Sequence, residues 1–446
     1  MMPRRPPHPH RIPLLPLEDL ACAALFAFFS MQGSIPGIAP SAALEMTASA
    51  PSSLNTIGGI ISQALANLLI VFLILRRPRL LLHSIPKIPW VALLAVLAIA
   101  STAWSLDPSL TLRRSIPFAL AGLFGLYFAA RFPAPRQFAI LRLTMVAVAI
   151  ATIAIVIFAP SIGLDHTPGH SADWQGVFTQ KNACGRIMVL ASAVILFGSR
   201  ITTARAAALL LFLFVLVMSG SRGAWMIEAA ILLLWLTLFV ARRASSRIRL
   251  ILAIAAPIVL ALIAAAATLF FPPLMRFLGR DATLSGRTAI WAQVAHFIAQ
   301  RPFFGYGYDA FWRGMQGPSL QIDAAVHFIV EHAHNGFLEI CLELGFTGLV
   351  LFAISWFRAA HQLWPSWRSG EIPRIAFPLA ILVLIALYDI DENTLLIYNG
   401  LFWPLYVAAL ATIDATARDR HHTQPTAPRD IMSAQVHDRP ALEEVS

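Results

Sequence analysis

Apolar runs long enough to cross a lipid bilayer recur along the whole chain, and this recurrence restricts the fold more than any motif does. A bilayer core of about 30 Å takes roughly twenty residues of helix. Runs of that order lie near 17–36, 55–75, 88–104, 116–131, 138–158, 182–199, 204–219, 223–241, 250–271, 334–357, 374–391 and 398–414. They are continuous rather than alternating apolar and polar, so helices are expected and a membrane β-barrel is not. Only 13% of the 446 residues are charged and 58% are hydrophobic, whereas soluble domains carry about 25% charged residues. The expected fold is all-α, a polytopic bundle of about twelve transmembrane helices.

Lys and Arg translocate poorly, so their distribution sets orientation. With the N-terminus inside, the cytoplasmic loops hold Arg76, Arg77, Arg79 and Lys87, then Arg131, Arg136 and Arg142. Arg200, Arg205, Arg242, Arg243, Arg247, Arg249, Arg358, Arg368 and Arg374 continue the pattern. The bias is about two to one toward the inside, and an even number of spans returns the C-terminus there. The organisation expected is a cytoplasmic N-terminus at 1–16, nine spans over 17–271 and a large external loop at 272–333. Three further spans over 334–414 and a disordered cytoplasmic tail at 415–446 complete it. The opening Arg4, Arg5 and Arg11 before an apolar run could be mistaken for a cleaved signal; an uncleaved first span also supplies the required parity.

The net charge of +10 is explained by anchoring on anionic inner-leaflet lipid. No basic stripe interleaves with aromatics, so no nucleic acid partner is expected. Cys22, Cys184 and Cys341 are isolated within apolar spans, and offer neither a disulfide framework nor a zinc spacing. No internal repeat suggests the inverted halves of a transporter.

The large external loop carries the densest polar sequence. It contains Ser285-Gly-Arg-Thr-Ala-Ile-Trp291, Arg301-Pro-Phe-Phe-Gly-Tyr-Gly-Tyr308 and, at its end, Glu331-His-Ala-His-Asn-Gly-Phe-Leu-Glu339 running into an apolar helix. Thr288 to Gln300 reads as a short helix ended by Arg301-Pro302, because proline cannot continue the hydrogen-bond ladder. Positive charge outside is disfavoured by insertion, so the external Arg113, Arg114, Lys181, Arg186, Arg222, Arg276, Arg280, Arg287, Arg301 and Arg313 each invite an explanation. Arg222, in the turn Met218-Ser-Gly-Ser-Arg-Gly-Ala-Trp225, is well placed for a phosphate, with snorkelling to lipid as the competing role. Lys181 and Arg186 flank the outer end of one span, and Arg186 lies about a turn inside it, a depth that marks a functional candidate. Arg276, Arg280 and Arg313 read as solvated loop charges.

Taken together and in order, GVFTQKN, SGSRGAW, SGRTAIW, RPFFGYGYDAFW and HAHNGFLEICLELGFTGL resemble the O-antigen ligase and Wzy-type polysaccharide polymerase superfamily. The match runs from about residue 170 to 410, and includes Glu392-Asn-Thr-Leu-Leu and Asn399-Gly-Leu-Phe-Trp403. Within that superfamily the chain is most similar to polymerases of exopolysaccharide production; the first 110 residues match in hydropathy alone. The resemblance implies a bacterial inner-membrane glycosyltransferase of GT-C-like fold, with its active site on the periplasmic face. It implies an undecaprenyl-pyrophosphate-linked glycan as donor, a lipid-linked acceptor, and no metal or other cofactor. A flippase and a chain-length regulator are the implied partners.

By motif position, Arg222 and Arg287 correspond to pyrophosphate-binding arginines and His334 to the catalytic loop histidine. The chemistry agrees: a departing pyrophosphate needs fixed guanidinium groups, and an attacking hydroxyl needs a base titrating near neutrality. Lys181, Asn182, Arg186, Arg301, His332, Asn335, Glu339 and Glu392 are candidate substrate-binding residues. His332 is the second choice for the base, and a metal site made by the two histidines is the competing reading. Glu331 and Glu339 could orient the histidine or bind sugar hydroxyls. Asp389-Ile-Asp391 has the spacing of an acidic metal grip, though capping at the interface explains it better. Trp174, Tyr306, Tyr308, Phe311 and Trp312 could stack on sugars or pack the loop. The closest alternative is a ligase acting on lipid A core or protein. A flippase for lipid-linked sugar is the alternative of another class, and would call for charges buried mid-span in several helices.

Overall fold

A computed structural model describes residues 16–33, 53–166, 173–198, 201–259, 287–314, 316–327 and 329–423. The expected N-terminal segment before Leu17, most of the tail after 414, and the loop stretch holding Arg276, Arg280 and Ser285 lie outside them. The described chain is all-α; its only extended pairing is an isolated antiparallel bridge between Leu164 and Trp174. Helices follow from the solvent: hydrocarbon offers no partner to an N–H or C=O, so each span must close its own ladder.

Six described helices are long and apolar enough to cross a membrane: Ile57–Leu75, Ala134–Phe158, Lys181–Gly198, Arg222–Ala241, Gly336–Ser369 and Ile372–Asp391. A pair bent by 102°, Pro78–Lys87 with Pro89–Ala103, makes a seventh if it counts as one span. The expected twelve is not reached by this measure among the described residues. Leu17–Ser30, with 14 residues, and Thr203–Met218, with 16, are short. The run at 250–271 is described only to residue 259. The last helix, Phe402–Thr423, continues past the apolar limit at 414, with Arg418 paired to Asp414 one turn earlier at 2.7 Å.

The helices sort by what surrounds them. Ser53–Leu75 turns Ile57, Ile60, Ile61, Leu65, Leu68 and Phe72 outward, an apolar flank suited to lipid and not to water. Phe402–Thr423 and Pro108–Arg131 pack deep in the bundle, where Trp403 stacks on Phe118 at 4.2 Å and its Nε1 donates to the Phe118 carbonyl.

One span is broken where the loop at 301–308 docks. Gly336–Ser369 has a kink at Gly345, whose φ of 67° belongs to the left-handed region. Around it the helical ladder is replaced by loop backbone. Phe346 and Thr347 N–H groups donate to the Pro302 and Phe303 carbonyls at 2.7 and 3.2 Å. In the other direction, Tyr306 and Gly307 N–H groups donate to Leu342 and Glu343 carbonyls at 2.9 and 3.0 Å. A side chain on Gly345 would run into the Phe303 backbone, and one on Gly305 into that of Glu343. The glycine pattern of the loop motif therefore serves a backbone-to-backbone docking. Tyr308 completes it: fully buried, it donates to the Leu396 carbonyl, while Thr111 donates to its own carbonyl at 2.9 Å. The aromatic residues Tyr306, Tyr308, Phe311 and Trp312 are all buried and pack the loop, and Trp312 also lines a cavity together with Glu392.

Candidate active site

The helix expected after Ser285-Gly286 is present as Arg287–Gln300, ending before Arg301-Pro302. It lies beside the entrance to Gly336–Ser369. Asn335 caps that entrance, accepting from the Leu338 N–H at 2.9 Å, while its Nδ2 donates to the Ile390 carbonyl at the end of the neighbouring span. Glu339, 1% exposed, accepts from Trp312 Nε1 at 2.6 Å and from the Ala333 N–H at 2.7 Å. Trp291 Nε1 holds the other side of Ala333, donating to its carbonyl at 2.9 Å. Ala333 is thus clamped between two helices. The histidines on either side of it are presented together, His334 in the left-handed region at φ 49° and with the rings 4.1 Å apart.

Glu392 is the hub. Its Oε2 lies 3.2 Å from His332 Nε2 and 3.5 Å from His334 Nδ1. Its Oε1 accepts from Arg287 Nη2 at 3.1 Å, and the same guanidinium also pairs with Asp391 through Nη1. Arg287 therefore spans two carboxylates in fork geometry, the arrangement that suits guanidinium best. Asn182 Nδ2 donates to Glu392 Oε1 at 3.5 Å while its Oδ1 accepts from Ser221 Oγ at 3.1 Å; Arg186 donates to the Asn393 carbonyl at 3.2 Å. Burial by itself would raise the Glu392 carboxyl, but hydrogen bonds and charge from the two histidines outweigh it and hold it well below its ordinary value. Burial, and then the neighbouring His334, hold His332 below the usual histidine range against the pull of Glu392. Glu331 is raised by burial, with His334 opposing.

The same three side chains are spaced to hold a cation, with one ligand atom from each of His332, His334 and Glu392 all within 4.8 Å. Arg287 on the same carboxylate opposes a metal there by like charge. A cavity of about 150 Å³ opens next to the hub, lined by Asn182, Arg186, His332, Glu339 and Glu392 among others.

Of the residues expected from sequence, His332, His334, Arg287 and Glu392 touch one another, with Asn182, Arg186 and Asn335 around them. Arg222 is exposed at the first turn of its helix and makes no ion pair with the described residues. Its neighbour Gly223 lies against Asp391, so the turn sits beside the hub. Lys181 pairs with Asp173 at 2.6 Å, and Asp173 in turn abuts Gly220, which makes Lys181 a brace for the turn that carries Arg222. Arg301 does not join the cluster. It is exposed and lies over the Tyr306 ring at 4.8 Å, because the docked loop turns it away. Asp389, half of the acidic pair, accepts from Thr394 N–H and Oγ1 at 2.7 and 2.9 Å and caps the turn after its span. Its companion Asp391 is the partner of Arg287, a role the sequence did not disclose. Asp309, the partner of Arg114, and Glu343 are further polar groups of the cavity that sequence reasoning passed over. The carboxylate of Glu343 within an apolar span was the available signal.

Known proteins match this architecture. Residues 207–353, from the helix before the Arg222 turn to the helix after the histidines, match the O-antigen ligase family. The exopolysaccharide production protein ExoQ of Rhizobium meliloti is 28% identical over 328 residues, covering 68% of this chain and 73% of that protein. By these matches the chain is similar to the O-antigen ligase and Wzy-type superfamily. Two Rickettsia proteins described as candidate polysaccharide ligases match over shorter stretches. The one from Rickettsia prowazekii is 36% identical over 80 residues and the one from Rickettsia conorii 33% over 91. These cover 20% and 22% of the Rickettsia proteins, so the superfamily member of fuller overlap is the exopolysaccharide one.

Proposed function

We propose that this protein is an inner-membrane glycosyltransferase that polymerises undecaprenyl-pyrophosphate-linked repeat units on the periplasmic face during exopolysaccharide synthesis. The coarser statement, a membrane enzyme of polysaccharide ligase or polymerase type, follows from the family match and the relatives together. The observation that carries the reading is a histidine pair and an arginine meeting on one carboxylate, Glu392.

The step balances as a direct displacement. An acceptor hydroxyl oxygen bonds to the anomeric carbon of the donor, and the bond from that carbon to the pyrophosphate oxygen breaks. Undecaprenyl pyrophosphate leaves with the electron pair, and the hydroxyl proton passes to His334. His334 Nδ1 lies 3.5 Å from Glu392 Oε2, so in this reading the other ring nitrogen, Nε2, takes the proton. Glu392 then stabilises the imidazolium that forms. His332, held low by burial, is the weaker base. Arg287 and Arg222 meet the charge growing on the pyrophosphate, Arg186 and Asn182 line its approach, and Asn335 and Glu339 hold the histidine loop. One displacement inverts the anomeric centre. No metal is needed, since guanidinium groups supply the charge. The N- and C-termini face the cytoplasm, and a flippase and a chain-length regulator act before and beside this step.

The alternative, a ligase moving finished glycan to lipid A core, uses the same donor. The overlap with the exopolysaccharide production protein across about two thirds of the chain supports exopolysaccharide synthesis as the setting of the reaction. The test is reconstitution with a lipid-linked repeat unit. His334→Ala should lower turnover by about 10²–10⁴-fold, and Arg222→Ala and Arg287→Ala should each cost about 10²-fold or more. Normal expression with near wild-type activity in all three would end the assignment. In cells, loss of a polymerase leaves single repeat units on the carrier, whereas loss of a ligase leaves long chains.

A further inference from the structure

The cavity beside Glu392 has a second kind of lining that the displacement does not use. Glu343 is 3% exposed, Asn399 6% and Asn393 9%, and all three face this cavity. Glu343 Oε2, Asn399 Oδ1 and Asn393 Oδ1 have no hydrogen-bond partner among the described residues. All three are acceptors. Leaving a buried acceptor unmade costs free energy, so three around one cavity point to a ligand that brings donors. Phosphate oxygens are themselves acceptors and would face unpaired lone pairs there. Hydroxyl groups donate and fit.

The two arginines among the described lining residues do not reverse the argument. Arg186 donates to the Asn393 carbonyl at 3.2 Å. Arg114 is engaged with Asp309, donating to its carbonyl and its Oδ1 at 2.9 and 3.0 Å, and lies over the Tyr398 ring at 5.8 Å. Asp309 and Glu339 add carboxylates to the same lining. An anionic sugar would meet this carboxylate wall, whereas a neutral ring would satisfy it.

We propose that the pocket wall formed by Glu343, Asn393 and Asn399 is a subsite for a neutral, hydroxyl-rich sugar ring of the glycan, separate from the arginines that hold pyrophosphate. This rests on the reading of the site as a glycosyltransferase centre. It adds a specificity: the ring seated here is uncharged, and uronic acids are excluded.

The test uses the full-length protein in nanodiscs and two probes. One is undecaprenyl pyrophosphate without sugar; the other is the oligosaccharide released by mild acid from the host's own lipid-linked repeat unit. Calorimetry follows the first and saturation-transfer NMR the second. Glu343→Gln, which removes the charge and replaces one of the two acceptor oxygens with a donor NH2, should weaken the oligosaccharide about tenfold, the range for a lost hydrogen bond to a charged group, and leave undecaprenyl pyrophosphate binding unchanged. Arg287→Ala should do the reverse. Asn399→Leu should copy Glu343→Gln while Asn399→Asp, which keeps an acceptor oxygen, should restore binding, so the subsite stays testable if one variant misfolds. Unchanged oligosaccharide binding in Glu343→Gln and Asn399→Leu would overturn the subsite. Equal weakening of both probes, no oligosaccharide binding by the wild type, or equal binding of a uronate-bearing oligosaccharide would overturn it too. Failure of the wild type to bind undecaprenyl pyrophosphate would instead strike the proposed function.

Discussion

The two sides of the cavity treat their polar groups in opposite ways. On Glu392 itself the charges are largely matched, with Arg287 bridging two carboxylates and both histidines beside the same carboxylate oxygen. Around Glu343 the acceptors are left unmade. A matched cluster is rigid before substrate arrives, which suits groups that must meet developing charge without reorganising. An unmatched wall stores unsatisfied hydrogen bonds that a ligand releases, which suits recognition of a neutral molecule. The contrast separates a part of the site that does chemistry from a part that chooses what is brought to it.

The matched side is the easier to break. Arg287→Lys keeps the charge but cannot span Asp391 and Glu392 with one fork, so turnover in the reconstituted assay should fall about 10²-fold. A lysine variant of near wild-type rate would mean that charge alone suffices there, and the rigidity argument would fail. Gly345→Ala probes the scaffold shared by both sides, since the kink sets the loop that carries Asp309 and places Glu343. At φ 67° with Phe303 backbone against the site of the new methyl, the change should destabilise the protein by about 2 kcal/mol or more. A thermal melt in nanodiscs reads it, and an unchanged midpoint would show the docking to be slack. The smallest effect expected is on acid stability. Glu392 and His332 are both held below their ordinary values in the folded protein. The unfolded chain then binds more protons, so their stability is present at neutral pH and is lost on acidification. The His332 share fades below the ordinary histidine range and the Glu392 share below the ordinary carboxylate range. Melts of Glu392→Gln should lose the lower part of that dependence; a slope identical to wild type would show the hub contributes nothing.

Much of this molecule could be read along the chain, because the governing signals are local. Apolar runs of bilayer length announce helices whatever they pack against. The proline stop after Gln300 is a short-range pattern, and the helix ends where it required; the cap at Asn335 was equally local but was not read from the sequence. Arg301 shows where such reading stops. As a cation on the external side it looked equivalent to Arg287, yet the docked loop lays it over Tyr306 and outside the cluster. The Asp389-Ile-Asp391 pair divides its duties, one carboxylate capping a turn and the other holding Arg287, a division no spacing reveals.

Local order of residues was enough to settle that this is a helical membrane protein, since hydropathy acts between near neighbours; His334 and Arg287 were singled out by the motifs that resemble the superfamily. Which charges meet was left to the packed bundle. Asp391 finds Arg287 across 104 residues, and Glu392 finds His332 across 60. Glu343 reaches the cavity because a helix breaks at Gly345 and a distant loop completes its hydrogen bonds. Those pairings depend on distances in space, and the energy of a charge or a hydrogen bond is set by such distances and by what else is buried there.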